Sequence, residues 1–330
     1  MESPAHHSPD GTFRNPWPDS APHGVGDVLR WARERRRMVR APTPPRGFFP
    51  AAPPLIDRPR APRDVTTATW IGHSTVLLQT GGLNILTDPM WSERAFPVQW
   101  TGPRRIMPPA VALELLPPLD IVLLSHSHYD HFDRTTVKRL ARTHPDATWV
   151  VPLKLGAYLR DFGVRLAVEL DWWQRADVRG ASIAATPARH FSARRFRDRN
   201  QTLWSGFALE VAGRRFYFAG DTAQHPAFAE IGARYGPFDL MMMPIGAYDP
   251  RWFMHVVHVD PEEAVQAYAA VASAHSHAGL PLMLGIHWGT FRLTDEPMDE
   301  PPARAKAAWL TAGLPDDRLW IARFGETRAL

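Results

Sequence analysis

The 330-residue chain has no cysteine, which excludes disulfides, thiolate zinc ligands and a cysteine nucleophile and leaves His and Asp to carry any metal chemistry. Lysine is almost missing too. Only Lys138, Lys154 and Lys306 occur, so the basic side is nearly all arginine, and the net charge of +4 reflects 34 acidic residues interspersed among the basic ones. No long basic block flanks the motifs described below, which argues against a nucleic-acid partner. No run of 18 apolar residues exists, so no transmembrane helix is expected. Met1 to Gly24 are polar and Pro-rich without an apolar core, so neither a secretory signal nor a membrane anchor is expected and a cytoplasmic location is the default. With 45% hydrophobic residues, the chain can bury a substantial core as one large α/β domain or two small ones.

What is abundant is histidine, and its placement matters most in Ser125-His126-Ser127-His128-Tyr129-Asp130-His131. Four metal-capable side chains, His126, His128, Asp130 and His131, fall within six positions. Imidazole nitrogen and carboxylate oxygen suit zinc and related divalent ions. The preceding Ile121-Val122-Leu123-Leu124 reads as a buried strand, which holds the backbone rigid up to the turn that aims the donors inward. A His-rich surface loop would not need this order directly after an apolar strand.

Residues 1–64 are rich in Pro, Arg and Ala and read as an extended arm wrapping the domain. One basic amphipathic helix is expected at Val28 to Val39, able either to dock on the body or to touch anionic lipid. From Val65 onward strand-like runs follow quickly at Thr67–Ile71, Thr75–Leu78 and Asn84–Thr87, separated by Gly72-His73 and Gly81-Gly82 turns. After the metal motif, a helix at Thr135–Thr143 and strands at Trp149–Val151 and Ala167–Leu170 are expected. The second half repeats the style, with strands at Leu203–Val211, Arg214–Ala219, Leu240–Ile245 and Leu282–Ile286 and helices at Pro261–Ser273 and Ala303–Leu310. Two meanders, each followed by helices, fit a four-layer αββα sandwich over residues 65–330, with no dividing linker.

Two metal ions sharing one site need about six or seven ligands, so distant strand ends must contribute. His190, Asp221 and His287 each sit just past a strand. They complete a set in which one ion takes His126, His128 and His190, the other takes Asp130, His131 and His287, and Asp221 bridges. This ordered set resembles the metallo-β-lactamase superfamily, which binds two metal ions at one edge of an αββα sandwich.

Further segments narrow the resemblance. Trp70 to Thr75, Thr87-Asp88-Pro89, Gly102 to Arg105, Glu169 to Trp173, Phe218 to Thr222, Pro244 to Met254, His258 to Ala264 and Ile286 to Phe291 resemble the N-acyl-phosphatidylethanolamine-hydrolysing phospholipase D family, from about Val65 to the C-terminus. The ascorbate-phosphate lactonase branch shares the ligand pattern but is less similar. The resemblance implies hydrolysis of the phosphodiester of an N-acylated ethanolamine phospholipid, releasing N-acylethanolamine and leaving phosphatidic acid. The implied cofactor is two zinc ions, with iron or manganese also compatible with His and Asp donors. It implies a phospholipid substrate, a membrane-peripheral location and a homodimer.

Asp130 at the centre would orient the attacking water as well as ligate. By resemblance, Gln99 and Trp100 stand where the family's Gln-Tyr pair meets substrate, the Trp being a departure that removes a phenolic hydroxyl, and His258 matches a histidine near the phosphate. A cap on the helix starting near Pro261 is the other role open to His258. His73 and Asp88 are expected to support the ligands. Phe96, Pro97, Trp100 and Met107 line either an acyl-chain groove or the core of their loop. Competing readings are a hydrolase of a small soluble phosphodiester, phosphonate or lactone, a non-catalytic metal-binding module, and a nucleic-acid-processing enzyme, which would need an inserted domain that the chain has no room for.

Overall fold

The computed structural model describes residues 4–18, 23–195, 197–273 and 279–330, so parts of the expected N-terminal arm and of the Met1 to Gly24 segment lie outside the described residues. In the first sheet β1 (Thr67–Gly72), β2 (Thr75–Thr80) and β3 (Leu83–Thr87) form an antiparallel meander, and β4 (Ile121–Leu123), β5 (Thr148–Pro152) and β6 (Leu166–Leu170) add in parallel. The second sheet mirrors this plan. β7 (Arg175–Val178), β8 (Ala181–Thr186), β9 (Gly206–Val211) and β10 (Arg214–Phe218) run antiparallel; β11 (Leu240–Pro244), β12 (Leu282–Ile286) and β13 (Leu319–Trp320) follow in parallel. The final strand, β14 (Thr327–Ala329), returns to pair with β1, giving orders 14-1-2-3-4-5-6 and 13-12-11-10-9-8-7.

Alternation along β4 shows why the layers form. Ile121 and Leu123 join Trp70, Val150, Phe207 and Phe218 between the sheets, while Val122 and Leu124 face outward onto Phe132, Val137, Leu140 and Leu159. Successive strand residues point to opposite faces, so a strand apolar at every position must be covered on both. The outer cover of the first sheet is α2 (Arg134–Thr143) and α3 (Gly156–Asp161), and on the second sheet α4 (Ala227–Tyr235), α6 (Pro261–Ala272) and α7 (Glu300–Thr311) pack together. The short α5 (Arg251–Met254) stands before α6.

Several elements differ from the sequence expectation. β9 begins at Gly206, because Leu203 and Ser205 instead donate their N–H groups to the carbonyls of Leu153 and Ser125, just past the ends of β5 and β4. β7 and the two-residue β13 carry too little apolar alternation to be read from sequence: Arg175 and Asp177 of β7 are exposed. The expected helix at 28–39 is α1 (Val25–Arg35), ending before Met38 and Val39. None of its residues is fully buried. It docks through Trp31, whose ring lies 5.0 Å from Phe253 and whose indole N–H meets Asp295, and through Arg35, 2.7 Å from the same carboxylate. No helix among the described residues is long and apolar enough to cross a membrane.

Candidate metal centre

Each candidate donor lies just past a strand end at one rim of the sandwich. His73 occupies the β1–β2 turn, His126 to His131 follow β4, His190 follows β8, Asp221 follows β10 and His287 follows β12. The two sheets close at this rim because Gly220, at φ +61°, has no Cβ; one placed there would stand 2.8 Å from Ser125 Cβ and 3.0 Å from the Ser205 carbonyl. His73, Asp88 and His287 also take positive φ, at 55°, 28° and 62°. Backbone strain of about 1–3 kcal/mol per residue persists only where the surroundings enforce it, commonly at functional sites.

The nitrogen tautomers follow from the fixed hydrogen bonds. His126 Nδ1 donates to Ser125 Oγ (2.9 Å), and His190 Nδ1 donates to the Val257 carbonyl (2.8 Å). The Nε2 lone pairs of both rings therefore converge on His128 Nδ1, at 2.8 and 3.1 Å. His131 Nδ1 donates to Asp88 Oδ2 (2.6 Å), which turns its Nε2 lone pair toward Asp221 Oδ2 (3.1 Å) and Asp130 Oδ2 (3.3 Å). His287 Nε2 lies 3.1 Å from Asp221 Oδ2 and 3.4 Å from Asp130 Oδ2. Lone pairs facing lone pairs in a buried pocket are repulsive unless a cation stands between them. His131 Nε2, His287 Nε2 and Asp221 Oδ1 are buried without hydrogen-bond partners. The residues present thus fit a pair of divalent ions.

Two donor groups result. One is His126, His128 and His190; the other is His73, Asp130, His131 and His287. Asp221 lies between them, its Oδ2 3.8 and 3.9 Å from His126 and His190 and 3.1 Å from both His131 and His287. Burial holds His128 at about 3 and His190 at about 4, and puts His126 well below its ordinary value, so the first group is neutral imidazole. In the second, burial also pulls down, but Asp221 with Asp130 outweighs it and carries His287 up to about 9. His131 rises for the same reason, with Asp88 adding to the pull. The metal-free centre thus draws protons to the place a cation would take.

The structure refines several expectations. Asp88 supports the centre from below, binding His131 and also accepting from the backbone N–H and hydroxyl of Ser125 (2.7 and 2.6 Å). His73, expected only as support, brings its Nε2 to 3.0 Å from Asp130 Oδ2, among the second donor group. Its carbonyl is held by the Trp70 indole N–H and the His287 backbone N–H. His258 does not cap α6. Asp260 does, with Glu263 completing a capping box, while the His258 ring stands 5.0 Å from His190 and 5.3 Å from His287 with Nδ1 buried and unpartnered.

Gln99 is engaged within its own loop, accepting from the Arg94 N–H and donating to the Arg94 carbonyl (3.0 and 3.1 Å), and Trp100 is 79% exposed. Neither makes a hydrogen bond to the metal donors in this conformation. Met107 belongs to the core, its sulfur accepting the Phe49 N–H, which removes it from any groove. Phe96, Pro97 and Gln99 instead border a hollow of about 270 Å³ with Tyr129, Tyr158 and Phe162. Tyr129 stands between His128 and Asp130, so this hollow adjoins the metal loop.

Residues 83–288 match the family model of the beta-lactamase superfamily domain. The chain belongs to the metallo-β-lactamase superfamily. Within that superfamily it is 43% identical over 304 residues to an uncharacterised protein of Mycobacterium tuberculosis, covering 91% of this chain and 78% of that one. It is 41% identical over 250 residues to the N-acyl-phosphatidylethanolamine-hydrolyzing phospholipase D 1 of Caenorhabditis elegans, covering 72% of this chain and 68% of that one. The isothiocyanate hydrolase from Delia radicum gut bacteria superposes with a TM-score of 0.62 at 20% identity, over 80% of this chain and 98% of that one. The last likeness shows the shared fold. This metallo-β-lactamase-fold chain is a metal-dependent hydrolase.

Proposed function

We propose that the protein is a phosphodiesterase of phospholipase D type that cleaves N-acyl-phosphatidylethanolamine-like lipids into N-acylethanolamine and phosphatidic acid, with two zinc ions. The observation that carries this reading is the coincidence of an intact donor set with 41% identity to a phospholipase D of that specificity. His126, His128 and His190 would hold one ion, Asp130, His131 and His287 the other, and Asp221 both. Such a pair supplies a water acidified toward neutrality and positive charge for the phosphoryl oxygens.

The chain's own residues supply orientation. Asp130, fixed by His73, directs a carboxylate oxygen toward the attacking water. His258, whose unpartnered Nδ1 lies in a buried position beside His190 and His287, is placed to donate a hydrogen bond to a phosphoryl oxygen. The hollow beside Tyr129 sets Phe96, Pro97 and Phe162 beside Arg134, Arg194 and Arg195, a mainly polar lining with limited apolar surface. Exposed Trp100, and Val25 and Leu29 of α1 at 76% and 65% exposure, support a peripheral contact with lipid.

A second reading, hydrolysis of a small soluble phosphodiester or lactone, is favoured by the engagement of Gln99 within its own loop, away from substrate. Release of N-acylethanolamine from N-acyl-phosphatidylethanolamine in mixed micelles, run beside a soluble phosphodiester and an Asp221→Ala variant, separates the two. Lipid turnover that disappears in the variant supports the phospholipase. Rapid turnover of the soluble ester with none of the lipid overturns it.

A further inference from the structure

At the same rim but apart from the dinuclear centre, just past β6, a second convergence of metal-capable side chains ties down the N-terminal arm. His6 Nε2 lies 2.6 Å from Asp171 Oδ1 and His7 Nε2 lies 2.8 Å from Asp171 Oδ2. In extended backbone consecutive side chains point to opposite faces. Here a turn closed by the His7 N–H on the Pro4 carbonyl (2.9 Å) brings both rings to the same carboxylate. His6 and Asp171 are buried at 6% and 8% exposure, and the His7 side chain keeps 28%, leaving an approach from solvent.

Each donor is held before any ion arrives. The His6 ring stacks on Trp172 at 4.3 Å, the His7 ring meets Phe13 edge-on at 5.2 Å, and Asp171 Oδ1 also accepts the Trp172 N–H. We propose that His6, His7 and Asp171 form a third divalent-cation site, for zinc or a similar borderline ion, that clasps the arm to the domain. Two imidazoles and one carboxylate, with a fourth position open to water, are the donor set of open three-ligand zinc sites. Binding replaces the two N–H to oxygen hydrogen bonds, each imidazole keeping its remaining proton on Nδ1. The inference does not depend on which substrate the dinuclear centre cleaves.

The clasp has a route to that centre. Beyond it the arm places Asn15 so that its side-chain amide donates to the His190 carbonyl (2.9 Å), and Trp17 stacks on both Trp172 (5.7 Å) and His225 (4.7 Å), four residues after Asp221. A cation at His6 and His7 therefore fixes the segment that buttresses the backbone of His190.

The test is the zinc content of the full chain after saturation and desalting, for wild type, His7→Ala, Asp171→Asn and Asp221→Ala. Three equivalents in wild type and two in both His7→Ala and Asp171→Asn support the site. Cobalt substitution gives an independent readout, since the visible absorption of one cobalt ion should vanish in His7→Ala while that of the dinuclear pair stays. Asp221→Ala should keep the clasp ion, which separates this site from the centre even if the lipid assay fails. Two equivalents in wild type with no loss in His7→Ala overturn the proposal. So does an arm that becomes protease-sensitive in His7→Ala without any change in metal content, because the cluster is then a hydrogen-bonded latch alone.

Discussion

The two donor groups of the metal centre stand side by side, yet they are built on different physics. His126 and His190 are buried neutral imidazoles whose outer nitrogens are fixed by a hydroxyl and a carbonyl, and the half-buried His128 between them is neutral too. His131, His287 and Asp130 share their space with carboxylate charge, and His73 and Asp88 brace them from behind. The first group is ready for a cation as it stands. The second, without one, holds protons in its place. Desolvation leads in the first, with neighbouring imidazoles adding to it, whereas carboxylate charge overcomes desolvation at His131 and His287 in the second.

The sharpest way to break this contrast is Asp221→Ala, which removes the carboxylate both groups share. Metal content should fall below one ion per chain at the centre and hydrolysis to background, read by metal analysis and turnover together. Asp88→Asn should come next. It weakens the bond to His131 and the Ser125 link to His126, and loss of such an outer partner costs about 10–100-fold in metal affinity or activity, with the His131 ion lost at the lower chelator concentration. Gly220→Ala should lower stability by about 1–3 kcal/mol through overpacking against Ser125, seen as a reduced Tm, and should loosen both groups equally.

Proton counting sharpens the comparison further. At pH 7 the first group carries no proton to lose, since His128 and His190 sit at about 3 and 4, while His287 at about 9 is protonated in the metal-free form. Titrating the metal-free protein with zinc in buffers of different ionisation enthalpy should show one binding step without proton release and one that releases protons. Equal release in both steps would mean that the groups do not differ as described. The smallest effect is expected for Trp100→Ala, an exposed residue, which should leave metal content and soluble-ester turnover unchanged and reduce lipid turnover several-fold.

The four donors from His126 to His131 were legible because they are neighbours in the chain and follow an apolar strand. Asp221 and His287 are legible because each follows an apolar run, and His190 because it stands just past a strand. His73 reads from sequence only as a support, since nothing local to a Gly-His-Ser turn reveals that β1–β2 delivers it to Asp130. β7 is not legible because it exposes Arg175 and Asp177, leaving no apolar stripe to detect, while β8 is implied only as the strand that His190 follows. His6 and His7 gave no signal beyond being adjacent, because their partner lies 164 residues or more away.

The sequence by itself determined the donor chemistry, the absence of thiolate, the alternation that demands two buried sheets, and the kinship with metal-dependent hydrolases. Only the tertiary structure decided which side chains face one another. It set Asp221 between two groups, turned His258 away from a capping role, engaged Gln99 within its own loop, and folded the arm back onto Asp171. Local pattern encodes which residues a strand presents and to which face, but distances across the sandwich follow from sheet order and close packing, and these emerge only when the two sheets meet.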